Sequence, residues 1–379
     1  MTTHNVALRI GGAVVEGWES YDVDTDMLQP ADNFSLQLFG AAPGVFDLCA
    51  PDSEVQILVD DAPLITGFID KRAWGVDRQA GTMIDVEGRD KAGRLVDESC
   101  ELFLFRGLGL RELALKVCDP WFTAVSLSNA RNRTLLRGPG ATRARAIREP
   151  TIEQTARAAV KVNPGESRWQ VLQHFLEEAD VLAWSTGDGK EIVIGRPNYE
   201  QAPQYRFVLP STDSDHPGEG NVISARLDDS VASRYSAIIA VGTGQGNARD
   251  YAAAVTKRRG IARDGSGPHG TGGSFQHRKV LIVSDDDVRT AELAERRALR
   301  EQQQRDATGR QLELVVQGHG QEYGGRHALF AFDTIAEVDL QPLGIRGDWL
   351  ITACKFSRSR SSGTRTTLQL VPSGTHLSL

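Results

Sequence analysis

The 379-residue chain has only four cysteines, Cys49, Cys100, Cys118 and Cys354, and no two of them lie close together. Zinc sites and redox motifs need paired ligands a few residues apart, so the four read as reduced, mostly buried thiols. Long apolar runs are missing as well. Segments such as Ala237 to Val241 and Lys279 to Val283 fall far short of the roughly 20 residues a spanning helix needs, so no stable membrane insertion is expected. The opening Met1-Thr2-Thr3-His4-Asn5 has neither a basic stretch nor an apolar core, which sets the expectation of synthesis and folding in a cytosol. Nor is there a basic excess: 43 Lys and Arg against 50 Asp and Glu leave a net charge of -7. Bulk nucleic-acid binding usually requires a clustered basic face, and this balance argues against it. No Gly-x-Ser-x-Gly elbow and no zinc-protease helix motif occurs, so no enzyme is expected.

What remains is the composition of an ordinary globular protein, with 40% hydrophobic and 25% charged residues and a length that suits two to four domains. Up to about Asp97 the chain alternates apolar and polar residues between Gly, Pro and Asp breaks, the pattern of half-buried antiparallel strands. Val6–Ile10, Ser20–Asp24, Asn33–Phe39, Glu54–Val59, Ile65–Trp74 and Thr82–Gly88 are the candidates, and six short strands suit a barrel or sandwich. From Leu108 the period changes. Leu110, Leu113, Ala114 and Val117 share a helical face ended by Asp119-Pro120, and Ser167 caps a second helix carrying Trp169, Leu172, Leu176 and Ala179. Val181–Trp184 and Glu191–Ile194 flank Gly187-Asp188-Gly189 as a hairpin. Between the helices lies an arginine-rich loop, Asn129 to Glu149, read as exposed.

After Pro197 strands return at Tyr205–Leu209, Val222–Leu227 and Ser236–Val241, followed by a glycine-rich, basic stretch from Gly242 to Lys279 that reads as a flexible insertion. Ser284, followed by Asp285-Asp286-Asp287, reads as the cap of a long, charged, mostly exposed helix reaching about Arg305. The tail from Gln311 is β-rich again. Glu54–Gly88 and Thr334–Pro372 share one layout of strand, tight turn, long strand, polar loop and strand, which suggests two related β-barrels interrupted by other domains.

The resulting fold is β-rich α+β multidomain. Its divisions are a first barrel over 1–97, an α+β domain over 98–196, a second barrel over 197–241 plus 311–379, and an insertion with its helix over 242–310. Gly265 to Gly270 has dinucleotide-loop spacing without the strand and helix that loop requires, and Gly242-Thr243-Gly244-Gln245-Gly246 lacks the phosphate-loop Lys-Ser/Thr. His269 with His277, and His319 with His327, lack a nearby third ligand and read as surface histidines; Asp22, Asp24 and Asp26 alternate along a strand. No cofactor and no metal is expected. Trp18, Trp74 and Trp349 are interface candidates, because aromatics are enriched in buried interfaces, with core packing the equal alternative. Arg131, Arg133, Arg143 and Arg145 are interaction candidates on the arginine-rich loop.

Several separated segments resemble the baseplate hub proteins of contractile-tailed phages, of the Mu-like and late control protein D group. They are Val6-Ala7-Leu8-Arg9 leading to Gly17-Trp18, Thr66 to Arg72, Glu87-Gly88-Arg89-Asp90-Lys91 with Leu95-Val96-Asp97, and Arg297 to Gln302. The longer glycine-rich stretch around Gly265 to Gly273 departs from that pattern. The resemblance implies a homotrimer whose two barrels per chain form a ring of pseudo-sixfold symmetry, adapting a sixfold tail tube to a threefold membrane-piercing spike. It implies as partners the chain itself, the spike, the tube, and baseplate wedge and tape-measure proteins, with DNA only in transit, in a virion tail assembled in host cytoplasm. A β-rich carbohydrate-binding or carbohydrate-cleaving protein, and the hub of a phage-derived contractile injection particle, stand as alternatives.

Overall fold

A computed structural model of the chain describes residues 4–40, 43–78, 81–102, 104–128, 134–135, 147–148, 159–179, 181–211, 220–242, 259–263, 279–285, 290–374 and 377. The first part comprises β1 (Val6–Ile10), β2 (Ala13–Val15), β3 (Ser20–Asp26), β4 (Asn33–Phe39), α1 (Pro43–Leu48), β5 (Glu54–Val59), β6 (Ala62–Asp77) and β7 (Gly81–Asp90). The middle comprises α2 (Ala92–Asp97), β8 (Leu104–Arg106), α3 (Leu110–Cys118), β9 (Ala124–Ser128), β10 (Thr134–Leu135), β11 (Ile147–Arg148), β12 (Ala159–Lys161), α4 (Arg168–Ala179), β13 (Leu182–Ser185) and β14 (Glu191–Gly195). Then follow β15 (Tyr205–Leu209), β16 (Val222–Asp229), β17 (Ala237–Gly242), β18 (Arg259–Arg263), β19 (Val280–Asp285) and α5 (Ala291–Thr308). The last part holds β20 (Arg310–Gln317), β21 (Gly320–Tyr323), β22 (Arg326–Leu329), β23 (Thr334–Leu340), a short 3₁₀ turn, β24 (Ile345–Ser359) and β25 (Gly363–Pro372).

Alternation dictates the strands. In β3, Tyr21, Val23 and Thr25 are buried while Asp22 faces water, and β4 buries Phe34 and Leu36 in the same phase. Thirteen strands make one sheet in the order β16-β20-β25-β24-β3-β4-β7-β6-β5-β1-β2, with β23 on β24 and β15 on β23. Its apolar residues from both ends of the chain form one core, from Leu8, Leu36, Ile57 and Val86 to Leu314, Phe356 and Leu370.

That sheet contains the same unit twice. The order β5-β6-β7-β4-β3 is matched by β23-β24-β25-β20-β16. In the first unit Gly67 pairs with Asp90 and Asp77 with Gly81; in the second Trp349 pairs with Pro372 and Ser359 with Gly363, a constant offset of 282 residues on both strands. Each long strand also carries a bulge at the same place, between Ile69 and Lys71 and between Ile351 and Ala353. Two unrelated meanders would not share register, bulge and neighbours over this length.

The two β units share one continuous sheet through the pairing of β3 with β24, and no sheet closes on itself among the described residues. Two expectations from sequence are corrected here. The strand Ala237–Gly242 is not part of that sheet. It pairs with β18 and β19 in a three-stranded sheet under α5, where Ala240, Ala262, Ala298 and Leu299 pack together. Part of the predicted flexible insertion is therefore ordered sheet; residues 243–258 and 264–278 lie outside the described residues, as do His269, His277 and the glycine loops. Ser284 lies within β19 rather than capping a helix, because Val280-Leu281-Ile282-Val283 is drawn into a parallel ladder with β17 that runs on through Ser284. The cap of α5 is Thr290, whose side chain accepts from the Leu293 N–H at 3.1 Å. One face of α5 is buried through Ala294, Ala298, Leu299, Gln302 and Gln303.

The middle region has its own core of α2, α3, α4 and the β13-β14-β9 sheet, with Leu113, Val117, Leu172, Leu176 and Ile192 buried. Ser167 accepts from the Gln170 N–H at 3.2 Å, and its own N–H donates to Gln170 Oε1 at 2.8 Å, a reciprocal cap. The hairpin expected there is present, with Leu182 opposite Gly195.

Gly88 shows how tightly the first unit is packed. A Cβ there would sit 2.2 Å from the Phe68 carbonyl and 2.5 Å from Phe34 Cζ. Gly88→Ala is expected to destabilise the chain by about 1–3 kcal/mol through overpacking, read as a lower urea midpoint at unchanged slope. An unchanged midpoint would mean that the Phe68 carbonyl and the Phe34 ring both shift aside at little cost.

Candidate functional site

For a chain built of two like β units, the functional geometry lies in how strand edges are joined. The seam pairs Ala353 with Asp26, Lys355 with Asp24, Phe356 with Val23 and Arg358 with Tyr21. Val23, Cys354 and Phe356 are fully buried at this join, and the Thr25 hydroxyl donates to the Cys354 carbonyl at 3.2 Å. Outside, Lys355 lies 3.5 Å from Asp22 and Arg360 is paired with Glu19. One strand of the seam is thus acidic and the other basic. Burial pushes the Cys354 thiol well above its ordinary range, so it stays neutral.

Beside the seam is a buried polar cluster that the sequence reading missed. His319, expected on the surface, is wholly buried. Its Nε2 lies 2.7 Å from the Tyr21 hydroxyl, and its Nδ1 lies 3.0 Å from Thr366 Oγ1, which donates to the Gly318 carbonyl at 2.6 Å. The His4 ring lies 5.3 Å from that of His319, and its Nδ1 meets Asp60 Oδ2 at 2.5 Å. Burial, then the charge of His4, drives His319 down to about 4, and burial lifts the Tyr21 hydroxyl to about 12. His327 is exposed, as expected, and its ring lies 5.8 Å from His4. Among the described residues no group of ligands is arranged to hold a metal ion.

The Gly88-Arg89-Asp90-Lys91 segment is a second joint, between the first β unit and the α+β region. Asp90 is buried and accepts from the Ser185 hydroxyl at 2.5 Å and the Gly93 N–H at 3.2 Å. Burial raises its carboxyl to about 6 against the pull of those bonds, and Asp32 is raised by burial and by the Asp90 charge. Arg89 bridges Asp70 at 2.7 Å and Asp97 at 2.5 Å, and Lys91 reaches Glu54 at 2.7 Å. Thr66 donates to the Gly187 carbonyl at 2.8 Å, so the hairpin of the α+β region rests on β6. The motif does structural work and carries no reactive group.

The tryptophans divide. Trp18 and Trp349 are buried inside the chain's own core, Trp18 donating to the Val15 carbonyl at 3.2 Å. Trp74 is half-buried on β6, edge-on to Phe46 at 4.5 Å. Arg131, Arg133, Arg143 and Arg145 lie outside the described residues.

Residues 5–90 match the family model of the Mu phage baseplate assembly protein GpP-like, N-terminal domain. The baseplate hub protein gp44 of Escherichia phage Mu is 23% identical over 381 residues, covering 98% of this chain and 88% of that protein. The chain resembles Mu-type baseplate hubs from end to end. The hub-like fold recurs in a tail protein from Neisseria meningitidis MC58, at TM-score 0.75 and 22% identity, covering 99% of this chain and 98% of that one. It recurs in the 43 kDa tail protein of prophage MuSo2 from Shewanella oneidensis, at TM-score 0.74 and 20% identity, covering 99% and 100%. The hub resemblance read from Thr66–Arg72 falls within the matched residues, and that read from Glu87–Lys91 runs one residue past them.

Proposed function

We propose that this chain is a structural hub of a contractile-tail baseplate, part of the virion, acting through assembly rather than chemistry. Three copies form a ring in which the two β units of each chain present six like surfaces, adapting a sixfold tube to a threefold spike. The observation that supports this reading is the internal repeat, with its constant offset and shared bulge. A threefold assembly of a duplicated unit satisfies both symmetries with one gene product.

In this reading the division into two tube-like units, an α+β domain and an insertion gives each part a place. The β units form the ring, and the α+β region extends from it through the Asp90 joint. The arginine loop and the insertion dock wedge or tape-measure proteins, and DNA passes through the ring only in transit. Of the three tryptophans, Trp74 is the one placed to meet a neighbour. Light scattering over a range of concentrations tests the reading. The expected species is near 124 kDa, three times the 41.3 kDa chain. A monomer at every concentration, with and without a spike protein, would overturn it.

A further inference from the structure

Each β unit has a distal half of its long strand, beyond the bulge. In the second unit that half, Ala353 to Arg358, is covered by β3. In the first unit the matching half, Lys71 to Val76, pairs with β7 on one side, and no strand among the described residues covers its other side. At the far end of the sheet, β16 pairs only with β20 among the described residues. Since β16 holds the position in the second unit that β3 holds in the first, the described residues include one uncovered long-strand edge and one uncovered copy of the strand that covers it. We infer that β16 of one copy pairs with the distal half of β6 of a second copy, repeating between subunits the seam that β3 and β24 make within one. This rests on the ring reading above and names its contact.

The repeat fixes the register. Asp24 pairs with Asn33 and Asp228 with Gln311, while Asn33 pairs with Arg89 and Gln311, on the matching strand, sits one residue before Leu312, the partner of Leu370. Val23, opposite Phe34, therefore corresponds to Leu227, opposite Leu312. Carrying the seam across, Trp74 faces Leu227, Gly75 faces Arg226, Val76 faces Ala225 and Arg72 faces Asp229.

The side chains fit this assignment on two counts. Tyr21, Val23 and Thr25 are buried on β3, whereas their counterparts Ala225 and Leu227 are half-buried and Asp229 is exposed, as expected of a strand whose neighbour is a separate molecule. Val76 is 77% exposed, an unusual position for a strand valine. Charge agrees as well. The internal seam sets acidic β3 against basic β24, and here Asp229 comes against Arg72. The two edges lie on different surfaces, so the contact is head-to-tail, the kind that makes a ring when its rotation closes after three copies, as the ring reading requires. Closure removes two exposed strand edges that would otherwise recruit foreign strands.

The test is cysteine pairing in the full chain, whose four native cysteines are all buried. Two double variants are made, Val76→Cys with Ala225→Cys and Gly75→Cys with Arg226→Cys. Adjacent antiparallel pairs alternate between close and wide side-chain spacing, so one of the two has a geometry a disulfide accepts. The expected result after mild oxidation is covalent dimer and trimer on a non-reducing gel from one double variant. Neither the single variants nor a displaced pair, Lys71→Cys with Ala225→Cys, should give it. In parallel, Val76→Glu, at a position that folding leaves exposed, should weaken assembly at least about tenfold with an unchanged monomer spectrum. A trimer by mass in which neither pair links, and which Val76→Glu leaves intact, overturns this contact while the ring stands. A monomer under all conditions, with no cross-link, overturns both.

Discussion

Phe356→Ala is expected to cost about 3–5 kcal/mol of folding stability, a large share of the roughly 5–15 kcal/mol that holds a typical domain folded. The ring is wholly buried at the seam, packs edge-on to His319 at 5.3 Å, and faces Val23 across the ladder, so truncation leaves a cavity that two β units line together. Its counterpart Trp74 occupies the same place in the first unit but is half-buried. Trp74→Ala is expected to cost about 1–2 kcal/mol in dilute monomer, where part of the ring still faces water. In the assembled state the two substitutions should converge, because Leu227 of a neighbour then covers Trp74 as Val23 covers Phe356. Denaturant midpoints measured below and above the assembly concentration check both halves of the statement. Equal costs at low concentration would mean that Trp74 already owes its packing to its own chain.

Acidification supplies the second large effect. Burial holds His319 at about 4, below the 6.5 of a free imidazole, so the folded chain resists a proton that the unfolded chain accepts. The stability this represents is complete above pH 6.5 and is lost as pH falls from there to about 4. Two and a half pH units amount to about 3 kcal/mol. Asp90 and Asp333, each raised to about 6 chiefly by burial, act in the opposite sense: the folded state takes up their protons first and gains stability as pH falls from about 6 toward 3.8. These opposing contributions overlap in wild type, so the histidine is isolated by difference. His319→Gln should be less stable than wild type at pH 7, through disturbed bonds to Tyr21 and Thr366, and should gain on it steadily as pH falls toward 4. A constant difference across pH would show that the imidazole does not remain neutral in the fold.

The parts legible in sequence were those encoded locally. Alternation placed β3, β4 and β20, helical spacing placed α3 and α4 with their caps, and the repeat of Glu54–Gly88 in Thr334–Pro372 was visible as a layout. The seam was not legible, because the pairing of Tyr21 with Arg358 joins ends of the chain whose patterns each looked complete. Two separate units and two units joined in one sheet require the same alternation, and only the partner of an edge distinguishes them. His319 was misplaced for a related reason. A histidine beside glycine reads as loop, and its burial depends on hydroxyls from Tyr21 and Thr366 that no local spacing reveals. Ser284 misled through local chemistry that is valid for a helix start but lost to a parallel ladder with β17.

The seam also sets the order of events during synthesis. The Thr25 hydroxyl and its Cys354 acceptor are 329 residues apart. At 5–20 residues per second, β3 waits about 15–65 s after it emerges before its neighbour exists. For that interval the nascent chain displays an unsatisfied edge, on a polysome where identical nascent chains stand close by. Asp22, Asp24 and Asp26 give it the same charge on every chain, so premature pairing between siblings is repelled until the basic strand of the same molecule arrives.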